Sequence, residues 1–123
     1  MGATLAQFEG HKYLSIETYK RSGDAVRTPV WFVESNGALF VRTARDTGKF
    51  KRIRNNPSVK IAPCGGTGKI MGDWVQAQAG IAQESEADDA YRLLRSKYGL
   101  LYAITSRFMK KKYVVLKVTP AGS

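Results

Sequence analysis

Alternating apolar and polar residues in the first third of the chain predict β-strands. The stretches 12–20 (KYLSIETYK), 26–34 (VRTPVWFVE) and 38–44 (ALFVRTA) are rich in β-branched and aromatic residues and keep a period close to two. Between the last two stretches, the residues Ser, Asn and Gly at 35–37 are a strong hairpin signal. The pattern therefore predicts three consecutive strands, of which the second and third form a hairpin.

The rest of the chain predicts two helical regions and three further strands. A helical period fits 47–55 and stops before an Asn-Pro pair, and a second helix is expected to begin near Ser85. Strand patterns fit 58–63, 73–83 and 112–119. The order of elements is then three strands, a helix, two strands, a helix and a strand. This order favours an α+β fold whose sheet closes into a barrel.

The second helix has an apolar stripe that we expect to face the core. The stripe consists of Ala87, Tyr91, Leu94 and Tyr98. These residues recur at helical spacing, which is typical of a helix that packs one face against a sheet. No linker or repeat interrupts the 123 residues, so we expect a single domain over 1–123.

Charge is the next constraint, because it indicates the kind of partner. The chain has 20 Lys and Arg residues against 10 Asp and Glu residues, a formal net charge of +10. Eight of these cations and a single acid lie between Arg42 and Lys69. Like charges grouped in this way attract anions. The expected partner is therefore anionic: a nucleic acid, a membrane surface or the phosphate of a small cofactor.

The expected location is the cytoplasm. No apolar run approaches the length of a membrane helix, and the N-terminal residues lack the basic flank and apolar core of a secretory signal. Cys64 is the only cysteine, which excludes an internal disulfide and argues against a cysteine-rich metal site. We expect no association with a membrane and no metal site.

The chain offers few residues for acid–base catalysis. His11 is the only histidine, and the sequence contains no carboxylate pair or cluster with metal-ligand spacing. The glycine-rich stretch 65–69 (GGTGK) does not fit a phosphate loop, because Pro63 stands where the first glycine is required and Ile70 follows the lysine. No catalytic residue is therefore assigned, and an enzyme with this sequence would take its chemistry from a cofactor.

Two features each allow a structural and a functional interpretation. The helix at 47–55 begins with Thr47, Gly48 and Lys49, which are the components of an anion site at a helix N-terminus, but they also fit a solvent-exposed basic face. Pro29 interrupts a predicted strand, which indicates either an edge strand or bulge, or backbone groups left free for a ligand. The pattern alone leaves both questions open.

Three segments resemble a known family. They are TPVWF at 28–32, LFVRTARDTGKFKRIRNNPSVKIAPC at 39–64 and WVQAQAGIA at 74–82. They are similar to the pyridoxamine 5′-phosphate oxidase-like split barrels, and more narrowly to the branch of coenzyme F-420 (deazaflavin)-dependent oxidoreductases. The resemblance implies a six-stranded antiparallel split β-barrel with short helices. It also implies a homodimer, with a flavin or deazaflavin in a cleft at the dimer interface.

The resemblance further implies where the cofactor binds. The strand segment that contains Trp31 would run along the ring of the cofactor, Thr43 would face the ring, and the turn that contains Lys49 would bind the phosphate. The implied cofactor-binding residues are Thr28, Pro29, Val30, Trp31, Thr43, Thr47, Gly48 and Lys49.

The expected function is therefore hydride transfer between bound coenzyme F-420 and a small organic substrate. A net charge of +10 suits the phosphate and the carboxylate-rich tail of F-420, whereas FMN, the alternative cofactor, has one phosphate and needs less of this charge. A third alternative is a nucleic-acid-binding domain, because Phe50 lies among cations as in single-strand stacking platforms. Phe50 is also needed to pack its helix, so we expect no specific nucleic-acid binding.

Overall fold

Over the residues that the structure describes, the fold is a single antiparallel sheet that curls around a core and packs with the two helices named below. The computed structural model describes residues 5–45, 47–109 and 113–121. The elements are β1 Tyr13–Tyr19, β2 Ala25–Val30, β3 Phe32–Ser35, β4 Ala38–Ala44, α1 Gly48–Asn55, β5 Ser58–Cys64, β6 Val75–Ile81, α2 Glu84–Met109 and β7 Tyr113–Pro120. The strand order is β2-β1-β5-β6-β7-β4-β3, and the sheet forms a half-barrel of seven strands.

The stretch 26–34, predicted as one strand, is two strands. β2 pairs with β1 up to Val30, and β3 pairs with β4 from Phe32 onward, so only Trp31 separates strands at opposite edges of the sheet. This strand switch (Val30–Phe32) raises the strand count from the predicted six to seven. One residue can join the two edges only because the sheet curls and brings them together.

The position of Pro29 agrees with its structural interpretation. Pro29 lies opposite Ser15 in β2, which is an edge strand. A proline cannot donate a ladder hydrogen bond, and an edge strand has one side on which no donor is needed. The predicted hairpin is also present, because Asn36 and Gly37, between β3 and β4, have φ values of 53° and 78°. Positive φ at both residues is what a tight two-residue hairpin requires.

The predicted basic helix is confirmed as α1. Its N-cap is Thr47, whose hydroxyl accepts a hydrogen bond from the Phe50 N–H, and the helix ends at Asn55, before Pro57. Phe50 and Ile53 are the buried residues of this helix and join the main core inside the curled sheet. The other side chains of α1 leave a largely cationic surface toward solvent.

The second helix begins at Glu84, next to the predicted start near Ser85. α2 extends over 26 residues and has a kink at Gly99, where φ is 57° and ψ is −127°. Its predicted apolar stripe is confirmed, because Leu94 is fully buried and Tyr91 and Tyr98 pack against the same core. This second core lies between α2 and the strands β3, β4 and β7. Within the described ranges, no helix combines the length and apolar character needed to cross a lipid bilayer.

Candidate functional site

A cleft forms where the strand switch, the end of β4, the start of α1 and the start of β7 meet. We call it the Trp31 cleft, and its volume is about 210 Å³. The described residues that line it are Val30, Trp31, Arg42, Thr43, Ala44, Thr47, Lys49 and Tyr113. These residues come from four separate parts of the chain, so the cleft exists only because the sheet curls.

The cleft brings together five of the eight predicted site residues. They are Val30, Trp31, Thr43, Thr47 and Lys49. The other three, Thr28, Pro29 and Gly48, do not line it. Thr28 is half-buried opposite Ile16 in the ladder between β1 and β2, and Pro29 and Gly48 are exposed. Whether any of the eight binds a cofactor stays a prediction.

Thr43 is the one buried side chain of the described part of the chain whose polar atom lacks a hydrogen-bond partner. Thr43 is 2% exposed, and its Oγ1 makes no hydrogen bond to any described residue. A buried hydroxyl without a partner costs about 1–3 kcal/mol. Native proteins satisfy most such groups, whereas this hydroxyl belongs to a residue that lines the cleft and has no partner among the described residues.

Through its hydroxyl, Thr47 has a structural role at the start of α1. Its hydroxyl donates to the Ala44 carbonyl at 2.8 Å and accepts from the Phe50 N–H at 3.3 Å. The hydroxyl therefore joins the end of β4 to the start of α1. It fixes the first turn of α1, and so the position of Lys49, without having a hydrogen left for a ligand.

Lys49 supplies the cleft with a partly desolvated cation. Burial, assisted by the neighbouring charge of Arg52, lowers the pKa of Lys49 from 10.5 to about 8. Among the residues that the structure describes, none forms a hydrogen bond or ion pair with its ammonium group. A bound anion would stabilise the charged form and raise this pKa again.

Aromatic rings and a guanidinium group form the remaining wall. The Trp31 indole stacks on the ring of Tyr98 outside the cleft, with centroids 4.4 Å apart and planes 9° apart. The guanidinium carbon of Arg42 lies 4.0 Å from the ring centroid of Tyr113 and 5.9 Å from that of Trp31. Such cation–π contacts hold the Arg42 charge at the cleft.

Arg42 and Tyr113 were not predicted as site residues. Arg42 immediately precedes Thr43, and Tyr113 pairs with Ala44 in the ladder between β4 and β7. The pairing of β4 with β7 was the missing information, because the two strands are far apart in sequence. Among the described residues that line the cleft, two are cations and none is an acid, so the arrangement suits an anionic ligand with an aromatic ring.

The exposed face of α1 extends this cationic character beyond the cleft. Lys51, Arg54 and Asn55 line a shallow depression of about 260 Å³ on the helix surface. The Phe50 ring is buried in the core and is covered by the Arg54 guanidinium at 5.8 Å. A buried ring cannot stack on a nucleic-acid base, so this observation weakens the stacking-platform alternative.

A larger cavity lies on the other side of the strand switch. This Lys97 cavity, of about 340 Å³, is lined by Phe8, Glu9, Gly10, Phe32, Val33, Glu34, Leu93, Ser96 and Lys97. The Lys97 Nζ donates to the Phe32 carbonyl at 2.9 Å and lies 3.6 Å from the centroid of the Phe32 ring. Two carboxylates and a lysine that is already hydrogen-bonded make this cavity a poor anion site.

Solved structures share this fold at low sequence identity. The haem storage protein HutZ from Vibrio cholerae is 15% identical, with a TM-score of 0.75 over 98% of this chain and 89% of that chain. A protein from Bacteroides thetaiotaomicron assigned to 5-nitroimidazole antibiotic resistance is 14% identical, with a TM-score of 0.71 over 94% and 76%. An F420 reductase is 15% identical, with a TM-score of 0.65 over 96% and 93%.

Similarity at this level shows a common fold, and fold alone does not assign a function. A search among curated proteins found no match. The family model for pyridoxamine 5′-phosphate oxidase, in contrast, matches residues 1–122. The chain therefore belongs to the pyridoxamine 5′-phosphate oxidase family.

Proposed function

We propose that this protein is an oxidoreductase that transfers hydride between bound coenzyme F-420 and a small organic substrate. The observation that carries the proposal is the unpartnered, buried hydroxyl of Thr43 in a cleft that also holds Lys49. A polar ring edge would satisfy the hydroxyl once the Thr43 side chain turned toward the cleft, and a phosphate would satisfy the ammonium group. A flavin or deazaflavin has both groups in one molecule.

The residues of the Trp31 cleft fit such a cofactor by their chemistry. Lys49 and the free backbone N–H groups in the first turn of α1 would bind the phosphate. Trp31 offers an apolar aromatic ring to a planar cofactor, and Thr43 offers a hydrogen bond. The cofactor would supply the hydride chemistry, and the protein would bind it, orient it and exclude water.

Charge favours F-420 over FMN within this proposal. The net charge of +10 and the cationic face of α1, with Lys51 and Arg54 beside a depression, exceed what one phosphate requires. F-420 carries a phosphate and a carboxylate-rich tail, so both the cleft and the helix face would have a partner. FMN remains the alternative cofactor, because the cleft alone suits its ring and its single phosphate.

The structure gives less support to haem binding, although one structural neighbour is named a haem storage protein. Haem iron is held by an axial His, Cys, Met or Tyr. The described residues that line the cleft include no His, Cys or Met, and the ring of Tyr113 is covered by the Arg42 guanidinium. His11 lies before β1 and does not line the cleft.

A homodimer completes the proposal, because a cleft this open needs a second wall to bury a cofactor. Trp31 and Trp74 are candidates for the shared surface, since aromatic residues are enriched in interfaces. Trp74 is half-buried, and the Arg27 guanidinium lies 4.6 Å from its ring centroid. Light scattering is expected to give twice the chain mass of 13.6 kDa. A monomer at micromolar concentrations would contradict the dimer and the shared cleft.

The direct test of the cofactor is titration of the cofactor-free protein with F-420, FMN and FAD, monitored by fluorescence. We expect F-420 to bind most tightly, because it has the most negative charge, and FMN to bind more weakly. Tightest binding of FMN, together with a yellow colour on purification, would favour the FMN alternative. No binding of any of the three would contradict the proposed function.

A further inference from the structure

Tyr98, in the turn of α2 that precedes the kink, joins three parts of the chain beside the Trp31 cleft. Its ring stacks on the Trp31 indole, with centroids 4.4 Å apart. Its hydroxyl accepts a hydrogen bond from the Phe32 N–H at 3.0 Å and lies 2.7 Å from the Lys12 carbonyl. The Tyr98 side chain therefore contacts both the Trp31 ring, which lines the cleft, and the backbone of Phe32, the next residue.

Two consecutive residues of α2, Lys97 and Tyr98, together satisfy the backbone carbonyls of Phe32 and Lys12 beside the strand switch. A tyrosine hydroxyl has one hydrogen to donate, and Tyr98 lies within reach of two carbonyls, those of Lys12 and Phe32. Lys97 donates to the Phe32 carbonyl at 2.9 Å, which leaves the Tyr98 hydrogen for Lys12. Burial raises the pKa of Tyr98 to about 12, so the hydroxyl keeps its hydrogen at neutral pH.

The residue after Tyr98 sets the direction of the helix at this point. Gly99 has φ of 57°, a conformation that L side chains rarely adopt. A Cβ at this position would have no neighbouring atom within 4 Å. A Gly99→Ala substitution would therefore strain the backbone of the kink without creating a steric clash.

We propose that Tyr98 is a positioning residue, which fixes the Trp31 indole at the wall of the cleft and thereby sets the affinity for a ring-shaped ligand. Tyr98 does not itself line the cleft, so it acts through Trp31. The inference rests on the proposed function for its ligand. The position of Trp31 can nevertheless be measured in the free protein.

The test uses a protein in which Trp31 is the only tryptophan. The chain has two tryptophans, so a Trp74→Phe background isolates the Trp31 signal for quenching, and the affinities are compared in the wild-type background because Trp74 is a candidate for the shared surface. Tyr98→Leu removes both the stack and the hydroxyl, and Tyr98→Phe removes the hydroxyl alone. Tyr19→Phe is the matched control, because the Tyr19 hydroxyl binds Glu17 at 2.7 Å in the β1 strand. The measurements are acrylamide quenching of Trp31 without ligand, and the affinity for FMN and for F-420.

We expect graded effects. Tyr98→Leu should raise the quenching constant of Trp31 about twofold or more and weaken binding about five- to tenfold, because a less fixed ring must be ordered when the ligand binds. Tyr98→Phe should give a smaller change in the same direction, and the Tyr19→Phe control should change neither measurement. Gly99→Ala should also raise the quenching constant, since it disturbs the backbone that holds Tyr98.

Unchanged quenching in a folded Tyr98→Leu protein would overturn the inference. If that variant does not fold, Tyr98→Phe decides: a rise in quenching supports the inference, and unchanged quenching overturns it. If quenching rises but the parent protein binds neither FMN nor F-420, the proposed function fails while the positioning role of Tyr98 is supported.

Discussion

Lys49 and Lys97 have the same lowered pKa but opposite surroundings. Desolvation is the main cause in both cases, and each pKa is lowered from 10.5 to about 8, although Lys97 is exposed and Lys49 is half-buried. The Lys97 ammonium donates to the Phe32 carbonyl and faces the Phe32 ring. The Lys49 ammonium has no such contact within the described ranges, and its charged neighbour is Arg52. Of these two lysines, both in the described part of the chain, Lys49 is therefore the one whose ammonium group is unsatisfied.

The comparison teaches that cavity size and unsatisfied polar groups point to different places in this protein. The Lys97 cavity has about 340 Å³, against about 210 Å³ for the Trp31 cleft. The smaller cleft nevertheless holds both the unpartnered Thr43 hydroxyl and the unsatisfied ammonium of Lys49. Desolvated polar groups without partners are costly to keep, which makes them better evidence for a ligand than volume.

The largest expected effect separates the two lysines directly. Lys49→Ala should weaken FMN and F-420 binding roughly ten- to hundredfold, because a charge-assisted hydrogen bond contributes about 1.5–3 kcal/mol. Lys97→Ala is the matched control and should weaken binding only a few-fold, through the strand switch. Fluorescence titration of both variants measures the difference. Equal losses of affinity in the two variants would contradict the proposed difference between Lys49 and Lys97.

Thr43→Val should move stability and binding in opposite directions. Without ligand, removing a buried hydroxyl that lacks a partner should leave the free energy of unfolding unchanged or raise it by about 1 kcal/mol. Binding of the cofactor should weaken about five- to tenfold, because the hydrogen bond to the ring is lost. Denaturant unfolding and titration test the two halves. A destabilised variant with unchanged affinity would show that the hydroxyl is structural.

The pH dependence gives a third way to distinguish the lysines. Anion binding needs the protonated Lys49, so affinity should fall as pH rises through about 8. The free energy of unfolding should instead rise with pH between about 8 and 10.5. In this range the unfolded chain binds more protons than the folded one. Lys49→Met should remove the pH dependence of affinity, whereas Lys97→Met should keep it. Titrations from pH 7 to pH 10 provide the measurement.

A smaller effect should distinguish F-420 from FMN. Lys51→Ala removes one exposed charge of the α1 surface and should weaken F-420 binding about two- to fivefold, since surface charges contribute about 1 kcal/mol or less. FMN binding should change by less than about twofold, because we propose that Lys49 holds its single phosphate. The same loss for both cofactors would mean that the tail does not reach this face of α1.

Much of the local structure was predictable because it depends on local chemistry. The start of α1 follows from a threonine that caps the helix, and its packing follows from Phe50 and Ile53, its only apolar residues. The apolar stripe of α2 was likewise visible as helical spacing. The break at Trp31 was not, because the strand pattern continues across it and only the pairing with two different edges divides it.

The candidate site was predictable only in part, for the same reason. The family resemblance indicated Trp31, Thr43 and Lys49, and the structure places all three in one cleft. Arg42 and Tyr113 depend on the pairing of β4 with β7, and Tyr98 depends on how α2 packs against the strand switch. Contacts between residues so far apart in sequence leave no local pattern to detect.

The central claim is that Lys49 holds the phosphate of a ring cofactor in the Trp31 cleft. FMN and riboflavin share the ring but differ in the phosphate, so their affinities for the wild type and for Lys49→Ala form a double-mutant cycle. We expect the wild type to prefer FMN by about tenfold or more, and this preference to fall to within about twofold in Lys49→Ala. An equal preference in both proteins would contradict the claim.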